Sequence, residues 1–297
     1  MSHRYVVTGS GGQLGTALVR LLGEAVISAP AHAGLDIADE ASVAAWLDAL
    51  EAPPQVLFNA AGFTHVDRCE REPEAAALGN ARGPAVLASA CKDRNVKLVH
   101  VSTDYVFPGE SERPYCEDDP VGPLSAYGRT KLQGERHVLE TDPGFLVVRT
   151  SWVFGPGRNF LAAILAQALL RREGKASGPL RVVADQTGRP SYAADLAEAL
   201  VALVAAGARG LYHAAGDGTA TWWELARFVL DTSGFADVQI DEISTAELEV
   251  DAPRPAWSVL DCGRAKELGI GMRSWQEAVR EYLHSEDAPL GAPGTRS

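Results

Sequence analysis

The sequence predicts an α/β fold, a doubly wound parallel sheet with a smaller C-terminal lobe. Three observations predict it. Through the first half, short apolar runs alternate with amphipathic helical stretches, as in sheets covered by helices on both faces. A glycine-rich turn joins the first apolar run to the first helix. Beyond about residue 150 the alternation loosens, yet no Pro/Gly linker marks off an independent domain.

Taken in order, Tyr5-Val6-Val7 reads as the first strand and Gln13 to Leu22 as the helix after it. Ala25 to Ala29 suits a second strand, and Asp39 opens a helix running through Val43, Trp46 and Leu47 toward Leu50. Val56-Leu57-Phe58 is a third strand, Ala75 to Ala90 a long helix, and Lys97 to Ser102 a fourth strand. A helix from about Ser125 to Leu139 and a strand from Phe145 to Arg149 complete residues 1–150. Residues 151–284 are expected to form mainly the lobe, over the sheet's carboxyl edge, with some segments returning to the core. Helices are expected near 159–171, 191–206 and 222–232, with short strands near 181–183, 211–213 and 238–240. Ser285 to Ser297, rich in Pro, Gly and small polar residues, reads as a flexible tail.

Composition narrows the function classes. With 46% hydrophobic and 22% charged residues, the 297-residue chain can bury an ordinary globular core. A formal net charge of −12 argues against a nucleic-acid partner, which would need a basic surface. No leader precedes the first strand and no apolar run reaches the ~18 residues of a spanning helix, so a cytoplasmic protein without a membrane partner is expected. Cys69, Cys91, Cys116 and Cys262 show neither CxxC pairing nor a nearby histidine at ligand spacing. Reduced thiols and no metal site are expected.

The turn Thr8-Gly9-Ser10-Gly11-Gly12-Gln13-Leu14-Gly15 has the spacing G-x-x-G-x-x-G. Glycines there serve a tight turn, close approach of backbone to pyrophosphate, and close packing of helix on strand. The helix N-terminus then offers free N–H groups and the positive end of its dipole. Such a turn points to a Rossmann-type dinucleotide site made by Gly9, Gly11, Gly12, Gln13 and Leu14. Asp36-Ile37 and Asn59-Ala60-Ala61 lie at the same carboxyl edge, where the adenine half would rest.

Tyr127 and Lys131 stand four apart in a predicted helix and so share a face. A phenol is a poor proton donor-acceptor at neutral pH unless a nearby cation stabilises its phenolate, and an ammonium one turn away can supply that field. The fourth strand ends in Val101-Ser102-Thr103-Asp104-Tyr105-Val106-Phe107. A hydroxyl at a sheet's carboxyl end can hold and polarise a substrate oxygen, for which Thr103 is the candidate and Ser102 the weaker one.

Together these motifs resemble the extended short-chain dehydrogenase/reductases, and within them the dTDP-4-dehydrorhamnose reductases. The resemblance runs over almost the whole chain. It takes in Asn59 to Asp67, Ser102 to Phe107, Tyr127 to Glu135, Arg149 to Gly155, Asp185 to Pro190, Gly210 to His213, and Arg254-Pro255 with Ser258 to Asp261. It implies NAD(P)H-dependent reduction of the 4-keto group of dTDP-6-deoxy-L-lyxo-4-hexulose to dTDP-L-rhamnose. Thr103, Tyr127 and Lys131 would be the catalytic set, with Tyr127 and Lys131 also touching the cofactor and Lys131 keeping the Tyr127 pKa low. Asp104, Tyr105 and Trp152 would line the sugar pocket, while Asn159 and Arg254 would meet the nucleotide diphosphate. The chain departs from the family's usual pattern at Gly62, Phe63 and Ser191, none of which removes a group the chemistry needs.

The segment Ser28 to Gly34 has no acid to repel a 2′-phosphate, so NADPH is expected, with NADH possible and His32 a candidate phosphate contact. Two other readings compete. Nucleotide-sugar dehydratases of the superfamily carry Asp-Glu after the strand-end Thr, whereas Tyr105 follows Asp104 here, and epimerases usually have a longer substrate lobe. A non-catalytic dinucleotide-binding regulatory subunit is the third, against which the intact Thr103, Tyr127 and Lys131 speak. The expected partner is a nucleotide sugar, on a monomer or homodimer.

Overall fold

The computed structural model describes residues 3–289. Its first half runs β1 (Tyr5–Thr8), α1 (Gln13–Leu22), β2 (Val26–Ser28), α2 (Glu40–Asp48) and β3 (Val56–Asn59). After β3 come α3 (Val66–Arg71), α4 (Pro73–Ala77), a π-turn at Leu78–Arg82, α5 (Gly83–Asp93), β4 (Lys97–Thr103), α6 (Ala126–Thr141) and β5 (Leu146–Thr150). The second half holds β6 (Val153–Phe154), α7 (Phe160–Arg172), β7 (Leu180–Val183), β8 (Thr187–Gly188), β9 (Ser191–Tyr192) and α8 (Ala193–Ala205). It ends with β10 (Gly210–His213), β11 (Ala220–Thr221), α9 (Trp222–Thr232), β12 (Ile240–Ile243), α10 (Gly263–Glu267) and α11 (Trp275–His284).

Six strands form one parallel sheet in the order β10-β5-β4-β3-β1-β2. Every residue of β3 and β5 is buried, the signature of parallel strands covered on both faces. Alternation splits the side chains between two cores. Val7, Phe58, Val99 and Val148 pack with Leu18 of α1 and Leu196 and Leu200 of α8. Val6, Leu57, Leu98 and Val147 pack with Val43, Leu87 and Val138 of α2, α5 and α6. The chain leaves β1 toward β2 and then reverses through β3, so the ends of β1 and β3 flank the switch point where open sheets take ligands.

The lobe buries its own cluster, in which Phe154, Leu165, Val182, Leu225, Val229 and Tyr282 meet across α7, α9 and α11. Its small sheets, β7 with β12, β8 with β11 and β6 with β9, stand apart from the central one. The halves are interleaved all the same: β10 returns as the edge strand beside β5, and α8 covers α1. No helix among the described residues is long and apolar enough to cross a membrane.

Four expectations need correction. The helix expected over 75–90 is interrupted by the π-turn at 78–82. The strand expected at 238–240 begins at Ile240, because Val238 turns into the lobe core before pairing with β7 starts. The α11 helix, opened by a capping box of Ser274 and Glu277, was not anticipated. Of the expected tail, residues 285–289 are held down: Asp287 forms an ion pair with Arg20 of α1, and Ala288 packs on the lobe core. Residues 290–297 lie outside the described residues.

Candidate active site

The glycine turn sits at the switch point. Gly9 has a φ of +74°, and a side chain there would drive its Cβ to 2.6 Å from the Ala61 nitrogen, so the loops after β1 and β3 touch through bare backbone. Gly12 caps α1 without any side-chain hydrogen bond, which leaves the first N–H groups at Gln13 and Leu14 available to an anion. Ser10 Oγ donates to the Ala29 carbonyl at 2.7 Å and fixes the turn against the end of β2. Nothing acidic stands between Ser28 and Gly34, and His32 is exposed there. This cradle fits a dinucleotide pyrophosphate and tolerates a 2′-phosphate.

Asn59 is fully buried and welds this region together. Its Oδ1 accepts from the Thr8 hydroxyl at 2.8 Å and the Ala61 N–H at 3.1 Å, so its Nδ2 faces His100 Nδ1 at 3.0 Å. Ala60 N–H in turn donates to the Thr8 carbonyl. At Asp36-Ile37 the side chains are otherwise engaged than expected: the Asp36 carboxylate accepts from Ala38 N–H, and Ile37 is buried in the core against Gly83.

Thr103 ends β4, and Ser125 caps α6 by accepting from Gly128 N–H at 3.2 Å. Two glycines let α6 lie close. A Cβ on Gly128 would stand 2.2 Å from the Tyr105 carbonyl, and one on Gly134 2.2 Å from that of Asn80. The approach brings Tyr127 to the end of β4, where its ring meets Tyr105 edge-on at 5.8 Å. Burial pushes the Tyr127 phenol above its ordinary pKa, and the neighbouring Thr103 hydroxyl opposes that shift.

Lys131 lies one turn on and is 4% exposed. Its Nζ donates to the Val101 carbonyl at 2.6 Å, and burial lowers its pKa to about 8, with Glu135 opposing. In this arrangement the Lys131 ammonium is turned to β4, and the direction of the Tyr127 shift is set by burial, with Thr103 opposing.

Asp104 is 2% exposed rather than open to a pocket. One carboxylate oxygen accepts from the Thr103 hydroxyl at 2.9 Å and the other from Ser151 at 3.0 Å. Burial raises its pKa to about 6 against hydrogen bonds from Ser258, Thr103 and Ser151. Asp104 thus orients Thr103 and braces the β5–β6 turn; it offers no free oxygen to a sugar. Tyr105 is partly buried, its phenol also pushed up by burial.

The remaining candidates divide. Trp152 stands just past β5 with φ +46°, stacked on Trp222. Asn159 caps α7, accepting from Ala162 N–H, while its amide donates to the Gly155 carbonyl at 2.7 Å and Tyr282 OH at 2.8 Å. Its amide is engaged in starting that helix. Arg254 pairs with Asp67 at 2.7 Å and donates to the Ala252 carbonyl at 2.7 Å, strapping the 252–254 segment to α3.

The family model described as RmlD substrate binding domain matches residues 3–287. The chain belongs to the RmlD family. It is 41% identical to the dTDP-4-dehydrorhamnose reductase of Streptomyces griseus over 98% of this chain and 96% of that one. It is 39% identical to the dTDP-4-keto-6-deoxy-D-glucose reductase of Streptomyces niveus, over 95% and 96% respectively. The crystal structure of the Bacillus anthracis dTDP-4-dehydrorhamnose reductase in complex with NADP superposes with a TM-score of 0.87 at 31% identity, covering 95% of this chain and 99% of that chain.

Within this RmlD chain, one residue beside the cofactor cradle escaped the sequence reading. Asn80, at the centre of the π-turn, is fully buried. Its Oδ1 accepts from Phe63 N–H at 2.8 Å, and its Nδ2 donates to the Phe63 carbonyl at 3.0 Å and to Thr130 Oγ1 at 3.2 Å. It clamps the loop after β3 to α6. Proline at 84 and an Ala-rich run hid it; the only signal was an asparagine inside a helical pattern, where such residues are unfavourable.

Proposed function

We propose that this chain reduces the 4-keto group of a dTDP-linked 6-deoxyhexulose with NADPH, the dTDP-4-dehydrorhamnose reductase reaction. The observation that carries the reading is the meeting of Tyr127 and Thr103 at the end of β4, beside the glycine cradle and above a buried Lys131. Bound NADPH would supply the hydride; Gly9, Gly11, Gly12 and the first N–H groups of α1 would hold its pyrophosphate, with Asn59 to Ala61 flanking it.

The chain's own groups account for the proton. Tyr127 donates its phenolic hydrogen to the oxygen that becomes an alkoxide. Thr103 turns its hydroxyl from Asp104 to that oxygen, a rotation about one bond. Lys131, one helical turn on from Tyr127, carries the positive charge that stabilises the phenolate left behind once its ammonium turns from Val101. Trp152 provides an apolar wall for a deoxysugar, and Tyr105 the rim of the pocket.

A second reading, favoured by the 39% identity to the Streptomyces niveus reductase, keeps the chemistry and changes the sugar to dTDP-4-keto-6-deoxy-D-glucose. The test is NADPH oxidation at 340 nm with that compound, with and without the 3,5-epimerase, and product identification by mass and NMR. Oxidation only with the epimerase, giving dTDP-L-rhamnose, supports the first reading. Oxidation without it supports the second, and none in either case defeats both.

A further inference from the structure

Trp152 has the one backbone conformation in its neighbourhood that its side chain resists. A bulky residue at φ +46° is an outlier that persists only where the surroundings enforce it. Here three things do. The indole of Trp222 lies on it with ring centroids 3.6 Å apart and planes 5° from parallel. Gly188 is pressed so close to the same ring that a Cβ there would stand 2.4 Å from Cε2, 2.6 Å from Nε1 and 2.8 Å from Cζ2. The Trp152 carbonyl also accepts from Ser191 N–H at 3.2 Å.

Trp222 is itself held. It is the first residue of α9, just inside the capping box of Thr221 and Glu224, and its Nε1 donates to Gln186 Oε1 at 3.1 Å. Phe160 tilts against it with centroids 4.6 Å apart. Yet both tryptophans remain partly exposed, and Ser151, the residue before Trp152, donates to the Asp104 carboxylate that orients Thr103. An aromatic pair built only as core would be sealed and unstrained. This one is strained, half open, and one residue from the network behind the proposed oxygen-holding hydroxyl.

We propose that Trp222 and Gly188 are positioning residues that clamp the Trp152 indole against the sugar, setting the enzyme's affinity for the sugar nucleotide. The proposal rests on the functional reading above. With Trp222 stacked on one ring face and Gly188 against the Nε1–Cε2–Cζ2 side, the partly exposed remainder of the indole is left for ligand, an apolar surface suited to a methyl-bearing deoxysugar.

The experiment measures KM and kcat for the 4-keto-6-deoxy sugar nucleotide in the full-length Trp222→Ala, Trp222→Phe and Gly188→Ala variants. NADPH binding, from its fluorescence, and the near-ultraviolet circular dichroism of the indoles are measured alongside. Removing an aromatic partner is expected to raise the sugar-nucleotide KM about tenfold in W222A, with NADPH affinity kept within about twofold. W222F, which keeps a ring in place, should stay within about threefold of wild type. G188A, whose Cβ would push on the Nε1–Cε2–Cζ2 side of the ring, should raise KM as well.

Unchanged KM in both W222A and G188A overturns the proposal, as does loss of NADPH binding in parallel with KM, the mark of a merely structural pair. If the wild type turns over no such sugar, the functional reading fails first. The clamp is then judged by whether dTDP-glucose alters the indole dichroism of wild type and not of W222A; no alteration in wild type overturns it too.

Discussion

The Lys131 ammonium donates to the carbonyl of Val101 across 2.6 Å, tying the middle of α6 to the middle of β4. That contact makes the lysine part of the sheet's framework as well as a source of charge, and its burial sets a pH limit. A lysine whose pKa falls to about 8 is charged at neutral pH and loses its proton just above it.

Activity should therefore decline as pH rises through about 8, because the neutral amine no longer stabilises a phenolate. A pH profile of kcat/KM from 6 to 10 checks this. A flat profile to pH 9.5 would show that the ammonium is not required. The stability arm has the opposite sign: the unfolded lysine binds a proton more tightly than the folded one, so between about 8 and 10.5 this group makes the fold more stable as pH rises.

Tyr127→Phe should cut kcat by roughly 10²–10⁴-fold, the usual share of general acid catalysis, while NADPH affinity changes little. Steady-state kinetics beside a cofactor titration decide it. A Phe variant within threefold of wild-type kcat would remove Tyr127 from the proton's path.

Asp104→Asn tests the carboxylate behind Thr103. The folded pKa is raised to about 6, so the folded protein binds the proton more tightly than the unfolded chain does. The group's favourable contribution is complete below pH ~3.8 and is lost as pH rises through about 6. Replacing it by a neutral amide should flatten the dependence of denaturant midpoint on pH between 4 and 6, while lowering kcat because only one accepting oxygen, now uncharged, remains for the Thr103 and Ser151 hydroxyls. An unchanged slope would show that Asp104 does not titrate there.

Asn80→Ala should destabilise the fold by about 1–2 kcal/mol, since it removes the part-buried hydrogen bonds to the Phe63 N–H and carbonyl and the buried one to Thr130. It should also weaken NADPH binding through the loosened loop after β3. Thermal unfolding and cofactor titration give both numbers; a stable variant with intact affinity would deny the clamp.

Much of this architecture could be read from residues alone. The wholly apolar runs at Val56-Leu57-Phe58 and Leu146-Val147-Val148 carry a two-sided burial that only a parallel sheet meets, and the glycine turn announces its own backbone. The site was less legible where a polar side chain had to choose between ligand and frame. Asn159, Asp104 and Arg254 have the chemistry to meet a sugar nucleotide, and each is taken by a cap, two hydroxyls or Asp67. Ser151 and Asp67 lie far off in sequence from the groups they hold, whereas Thr103 adjoins Asp104 and Ala162 follows Asn159 by three, an N-cap spacing the sequence does display. The π-turn is also set by distant contacts: the alanines of Ala75 to Ala90 favour helix, Gly79, Asn80, Gly83 and Pro84 weaken it, and the break falls where Asn80 bonds to Phe63 and Thr130.

The return of β10 to the edge beside β5 makes the molecule indivisible. Severing the chain near residue 150 would strip β5 of its outer neighbour along Leu146 to Arg149 and leave a largely apolar strand, buried in the whole fold, with its outer N–H and C=O groups bare. Such an edge invites pairing with other copies. A gene split at the apparent boundary between cofactor and substrate halves would thus yield an aggregating fragment, and modular swapping of the lobe between relatives has to carry α8 and β10 along with the nucleotide half.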